Sequence, residues 1–131
     1  MQTRSQHYSK QVFDQINALS LGGTNKKKYG SLCHNFPIMV LRSGLSQAVA
    51  FVWVKSKAKE NTPYGEFLKH LSSLSDGAPN ETASAFQKRI NELPLADYQR
   101  LTRKILAASI WYKRFAESIL DVKPGADPEG E

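Results

Sequence analysis

The chain holds a single cysteine, Cys33, so no disulfide can close within it. Long apolar runs are missing as well. The longest, Ala48 to Val54, falls far short of the roughly 20 residues that span a bilayer. The opening Met1-Gln2-Thr3-Arg4-Ser5-Gln6 has no apolar core of the kind a secretory signal needs. There is no P-loop, no G-x-G-x-x-G, no H-E-x-x-H and no nucleophile elbow. No stretch alternates strand with helix, and no repeat is visible. These absences point to a cytoplasmic chain without membrane attachment, metal or cofactor.

Acidic residues are also scarce: 12 Asp and Glu stand against 18 Lys and Arg in 131 residues, for a net charge of +6. Four of the acids, Asp121, Asp127, Glu129 and Glu131, sit in the last eleven residues with only Lys123 to oppose them. That segment carries −3, which leaves +9 on the remainder. A basic body of this size implies a polyanionic partner, most often nucleic acid, or else simple solubility.

What is present reads as helix with helix punctuation. Thr3 and Gln6 have the spacing of a capping box. Tyr8, Val12, Ile16 and Leu19 follow on one face, and Gly22-Gly23 is expected to close that helix. Thr24 is the expected cap of a second, with Tyr29, Leu32 and Phe36 on its inner side. Lys26, Lys27 and Lys28 crowd its first turn, where cations oppose the helix dipole and so point outward to another role.

Residues 36 to 54 are ambiguous between two strands and two helices. Two helices are preferred: Pro37 suits a first helical position and Gly44 a C′ position, and no other segment offers a sheet partner. Thr62-Pro63 opens a further helix with Tyr64, Phe67, Leu68, Leu71 and Leu74 as its stripe. Asn80 is the expected cap of the next, with Ala83, Phe86 and Ile90 inward. Pro94 begins the last and longest, running to about Leu120. The expected architecture is an all-α, single-domain bundle of about six or seven helices over residues 1–120. The acidic, Pro- and Gly-containing tail at 121–131 is expected to be disordered.

Candidate chemistry is sparse. Cys33 and His34 are adjacent, but adjacent helical residues point about 100° apart, so a small core thiol and a surface imidazole is the better reading than a nucleophile with its base. His7, His34 and His70 with one cysteine have no zinc-like spacing. The last helix carries the clearest pattern. Leu101, Ile105, Ala108, Tyr112, Phe115 and Ile119 form an apolar stripe, and Arg100, Arg103, Lys104, Trp111 and Arg114 a neighbouring one. Cations that hold an aromatic among them suit phosphate contact plus stacking, or else a solvated face whose Trp111 packs on another helix.

Three stretches together resemble the small α-helical subunit of the type III-B CRISPR effector, the Cmr complex. They are Arg4-Ser5-Gln6-His7-Tyr8; Lys28-Tyr29-Gly30-Ser31-Leu32-Cys33 with Phe36-Pro37-Ile38-Met39-Val40 and Ser43-Gly44-Leu45-Ser46-Gln47-Ala48-Val49-Ala50-Phe51; and Trp111-Tyr112-Lys113-Arg114-Phe115-Ala116-Glu117. They occur in the family's order and span nearly all of the chain before the tail. The resemblance implies a non-catalytic subunit, monomeric in isolation. Several copies would stack beside a filament of backbone subunits, near a large subunit, with a basic surface toward guide RNA and target RNA. It implies polar roles for Arg4, Lys28 and Arg42 and structural ones for Gly44, Leu45 and Trp111. The RNA-binding residues expected from residues and resemblance together are Arg4, Lys27, Lys28, Arg42, Arg100, Arg103, Lys104 and Arg114. A standalone nucleic-acid-binding regulator is the alternative, and an enzyme built on Cys33 a third reading.

Overall fold

The computed structural model describes residues 3–19 and 22–125, and every regular element among them is a helix. The six are α1 (Arg4–Asn17), α2 (Gly23–Ser43), α3 (Leu45–Lys55), α4 (Pro63–Leu74), α5 (Ala83–Glu92) and α6 (Leu95–Ser118). The all-α expectation and the helix count both hold, and the ambiguous stretch at 36–54 is helical.

Local chemistry explains most of the starts. The Thr3 hydroxyl accepts from Gln6 N at 3.0 Å while Gln6 Oε1 accepts from Thr3 N at 2.7 Å, closing the capping box. Thr62 accepts from Gly65 N, and Pro63 fills the first position of α4. Two expected starts differ. The α1 helix stops at Asn17, and Gly22 is the cap of α2 rather than the end of α1. A glycine there serves almost as well as Thr24 because its carbonyl still accepts the first helical bond, from Lys26 N. Thr82, not Asn80, caps α5, accepting from Ala85 N at 3.1 Å. Asn80 instead takes a left-handed turn conformation at φ 64°.

The larger departure is Pro37, which starts no helix and lies inside α2. It cannot donate the bond that would run to the carbonyl of Cys33, a cost of about 3 kcal/mol in an isolated helix. Tyr29, Leu32, Cys33, Phe36 and Val40 are buried on both sides of it, and that apolar burial outweighs the lost bond. The helix ends where expected, at Gly44, whose φ of 87° and ψ of 161° only glycine adopts readily. The same residue lies against Tyr98 of α6, whose Oη accepts from Ser46 N in the first turn of α3 at 2.9 Å.

The α2 and α6 helices run antiparallel. Gly44 and Ser46 meet Tyr98 at one end, and Gly30 and His34 meet Val122 at the other. The α1 helix packs on α6, while α3 and α4 pack on α2 and α5 packs on α3 and α4. Phe67 sits at the centre, its ring 5.5 Å from Tyr29, 5.2 Å from Phe36 and 5.5 Å from Tyr112. The inner stripe of α6 turns from Tyr112 to Ala116 and Leu120, which leaves Phe115 and Ile119 half-buried instead of core.

Packing also continues past the expected boundary at residue 120. Val122 is buried, its carbonyl 2.8 Å from His34 Nε2 and its side chain in the space a Cβ on Gly30 would take. The remainder of the tail, 126–131, lies outside the described residues.

Candidate nucleic-acid surface

The cations singled out in the sequence fall in three places rather than one. Arg100, Arg103 and Lys104 lie near the start of α6. There α6 faces the loop between α4 and α5 across a cleft of about 260 Å³, lined by Arg100 and Lys104 but not Arg103, and by Ser75, Asp76, Arg89 and Asp97. Arg100 Nη1 is 2.8 Å from Asp97 Oδ1, and Lys104 Nζ is 3.4 Å from Asp76 Oδ2. Asp76 comes from 28 residues away, so the stripe is less one-signed than the helix alone implies. Arg103 is exposed and makes no ion pair among the described residues. Arg42, exposed in the last turn of α2, lies toward the same end of the bundle because Gly44 meets Tyr98 there.

Lys27 and Lys28 occupy the opposite end of α2, 15 residues and so about 22 Å from Arg42 along the axis. Lys28 shares a groove with Lys55, Met39, Phe51 and Tyr64 between α2 and α3.

The third place is where α1 crosses α6. Trp111 is half-buried. Its Nε1 donates to Ser5 Oγ at 3.3 Å, its ring lies 5.8 Å from Phe115, and the Arg114 guanidinium sits 5.5 Å above it. Trp111 is therefore neither a fully enclosed core residue nor a free stacking surface: its indole N–H is tied to α1, and its ring lies along Phe115 with Arg114 over it. Arg4 precedes Ser5 on α1 and is exposed beside it.

Two residues escaped the sequence reading. Arg89 forms a fork on Glu81, with Nε 3.0 Å from Oε2 and Nη2 3.0 Å from Oε1, and Nη2 also donates to Ser75 Oγ at 2.8 Å. The Ser72 hydroxyl donates to the same carboxylate. Burial alone would raise the Glu81 carboxyl, but the hydrogen bonds from Arg89 and Ser72 hold it below its ordinary value. This network fixes the α4–α5 loop that carries Asp76. Its only sequence signal is Glu81 eight residues before Arg89. Phe13, exposed on α1, touches Phe115 edge-on at 5.6 Å, and its sole signal is that it falls off the Tyr8–Val12–Ile16 face.

The remaining chemistry is interior. Cys33 is fully buried, and desolvation pushes its thiol well up, away from the thiolate a nucleophile needs. His34 is buried too, contrary to its expected surface position, because the chain after α6 returns over α2 and offers the Val122 carbonyl as its partner. His70 Nδ1 shares a 2.6 Å hydrogen bond with Tyr29 Oη, and its pKa is lowered to about 4 by burial and by Lys69. No group of three or more His, Cys, Asp or Glu among the described residues could hold a metal ion. No described helix is long and apolar enough to cross a membrane.

A family model described as "CRISPR-associated protein (Cas_Cmr5)" matches residues 4–119, from the first residue of α1 to just past the end of α6. The chain belongs to the Cmr5 family. A curated relative, "CRISPR system Cmr subunit Cmr5" from Thermus thermophilus, is 34% identical over 122 residues, covering 92% of this chain and 99% of the relative. The fold agrees. The X-ray crystal structure of a CRISPR-associated Cmr5 family protein, also from Thermus thermophilus, matches with a TM-score of 0.73 at 28% identity, over 91% of this chain and 98% of the other. The Cmr5 match thus takes in all six helices, with every cationic position singled out above.

Proposed function

We propose that this chain is the small, non-catalytic subunit of a cytoplasmic type III-B Cmr effector. In that assembly several copies, each monomeric when isolated, stand beside the backbone and large subunits and contact guide RNA and target RNA. The observation that carries the reading is the cationic ridge of Arg100, Arg103 and Lys104 on a chain of the Cmr5 family. Two further features support it: the +9 charge of the body and the buried, proton-retaining state of Cys33. The contact is to phosphates. Guide and target sequences vary, and a subunit that serves all of them cannot depend on base-specific hydrogen bonds. Surface ion pairs such as Arg100–Asp97 and Lys104–Asp76 are worth about 1 kcal/mol or less, so phosphates can displace both acids. Cleavage belongs elsewhere in the assembly, and the isolated chain is expected to cut neither RNA nor DNA with or without divalent metal.

Replacing Arg100, Arg103 and Lys104 together with Glu tests the reading in the assembled complex. RNA association should weaken equally across unrelated sequences. Its dependence on log salt should lose about 2 units if all three meet phosphates of a single strand. Unchanged RNA association with the helical signal intact would overturn the assignment and give the ridge to an acidic partner subunit. Tight RNA binding by a dimer of the purified chain would favour the standalone regulator instead.

A further inference from the structure

The aromatic groove between α1 and α6 is not used by a ridge that binds phosphates. It is about 380 Å³ in volume, lined by Thr3, Ser5, Gln6, Ser9, Lys10, Phe13, Trp111 and Phe115. Its floor is aromatic: the Trp111 and Phe115 rings lie 26° from parallel, and Phe13 stands at 73° against Phe115 with 42% of its surface exposed. Its rim is polar, with Thr3, Ser5, Gln6 and Ser9 beside the one lining cation, Lys10; the Arg114 guanidinium lies over the Trp111 ring, and Arg4 adjoins Ser5 on α1. Asp14 is paired to Lys10 at 3.1 Å, on an exposed surface where such a pair is weak.

We infer that this groove is a stacking site for one unpaired base of single-stranded RNA, Trp111 and Phe13 holding the base and Lys10 and Arg114 its flanking phosphates. The inference rests on the RNA-binding reading above and adds a ligand class to it. An aromatic surface serves any base, since every base has a π-face, so it is compatible with variable guides and targets. Polar groups at the rim, with cations outnumbering the single acid, fit a nucleotide better than the aliphatic side chain of a protein partner, which would leave them unpaired. The volume falls in the range of small-ligand sites. A base inside a duplex cannot enter, so the site discriminates single-stranded from paired RNA.

The experiment uses the full chain with Trp53→Phe, which leaves Trp111 as the only tryptophan. Titration with single-stranded oligoadenylate or oligouridylate at low salt should quench Trp111 emission, and a fully paired RNA duplex should not. Trp111→Leu should weaken single-strand binding by between about 5-fold and about 150-fold, the range set by one stacked base. If that variant is less helical by circular dichroism, Ser9→Glu, which places a carboxylate in the groove and spares every ring, should give the same loss. Salt-dependent RNA binding with unchanged Trp111 emission would overturn the groove assignment and leave the phosphate ridge standing. Emission that changes only on assembly with the other subunits, without RNA, would overturn it in favour of a protein occupant. Absence of RNA association by both the chain and the assembled complex would remove the functional reading and the stacking site with it.

Discussion

The two halves of α6 are built from the same alphabet and hold their cations differently. In the first half, Arg100 and Lys104 project beside Leu101 and Ile105 and are held by acids, Asp97 one turn back and Asp76 from the α4–α5 loop. In the second half, Arg114 has no acid in that role among the described residues and lies instead over the Trp111 ring, beside Phe115 and the α1 helix. The difference is one of neighbours. The first half faces a loop held by the Arg89–Glu81 fork, and the second faces a helix that lines the groove with Phe13, Ser9 and Lys10. A cation held by a carboxylate in water exchanges readily for a phosphate, whereas one parked on an indole marks a surface suited to planar groups.

The sharpest break in this comparison is expected in the interior that both halves share. Tyr112 is fully buried, touches Phe67, and donates from its hydroxyl to Gln15 Oε1 at 2.5 Å. Tyr112→Ala should cost about 3–5 kcal/mol of unfolding free energy, read from the denaturant midpoint. The triple charge reversal of Arg100, Arg103 and Lys104 should cost far less, because the pairs it disrupts are at the surface. Equal losses would mean that the cationic ridge is part of the packing.

A second difference is pH. It rests on His70, which does not behave as an exposed group would. Its pKa in the folded chain, about 4, lies below the ordinary 6.5 because burial and Lys69 disfavour the cation. Between those values the unfolded chain binds more protons, so stability is full above about pH 6.5 and falls as pH drops through the window toward 4. The loss has an upper bound of about 3 kcal/mol. His70→Gln should flatten that part of the pH–stability curve. A slope unchanged by the substitution would show that His70 does not set it; the contribution of Glu81, which is held below its ordinary 4.5, is lost only as pH falls below that value.

How much of this was legible in the sequence depended on the range of the interaction. Thr3 with Gln6 and Thr62 with Pro63 act within four residues, and both were readable. So was Gly44, since its backbone conformation is a property of the residue itself. Pro37 was misread because the rule that proline starts helices is local, whereas the burial of Phe36 and Val40 around it is tertiary. The cap of α5 was misplaced for a similar reason. Thr82 and Asn80 are equally good on paper, but Glu60 reaches across 23 residues to accept from Ala83 N at 2.7 Å, fixing the start next to Thr82. The burial of His34 required knowing that Val122 comes back over Gly30. For the candidate surface, each cation was identifiable as a cation. The grouping was not, because it follows from the antiparallel pairing of α2 with α6, which sends Arg42 toward Arg100 and Lys28 away from both.

The finest separation between the two halves of α6 lies in how single substitutions change salt dependence. Each phosphate contact on a single strand contributes roughly 0.7 to the slope of log affinity against log salt. Arg103→Ala removes an exposed cation held by no acid among the described residues, so a contact made there should be lost in full, and the slope of the assembled complex should fall by about 0.7 with the same change for unrelated RNA sequences. Arg100→Ala removes a cation that must first leave Asp97. The carboxylate it frees then faces the RNA, so affinity should fall further than for Arg103→Ala while the slope changes by a similar amount. Arg114→Ala at the aromatic groove should lower affinity with a slope change no larger than that of one phosphate contact, because part of its role is to lie on Trp111. Titrations at several salt concentrations read all three. If Arg103→Ala leaves the slope unchanged while Arg114→Ala lowers it, the phosphate-bearing half of α6 is the aromatic one and the assignment of the two halves is reversed.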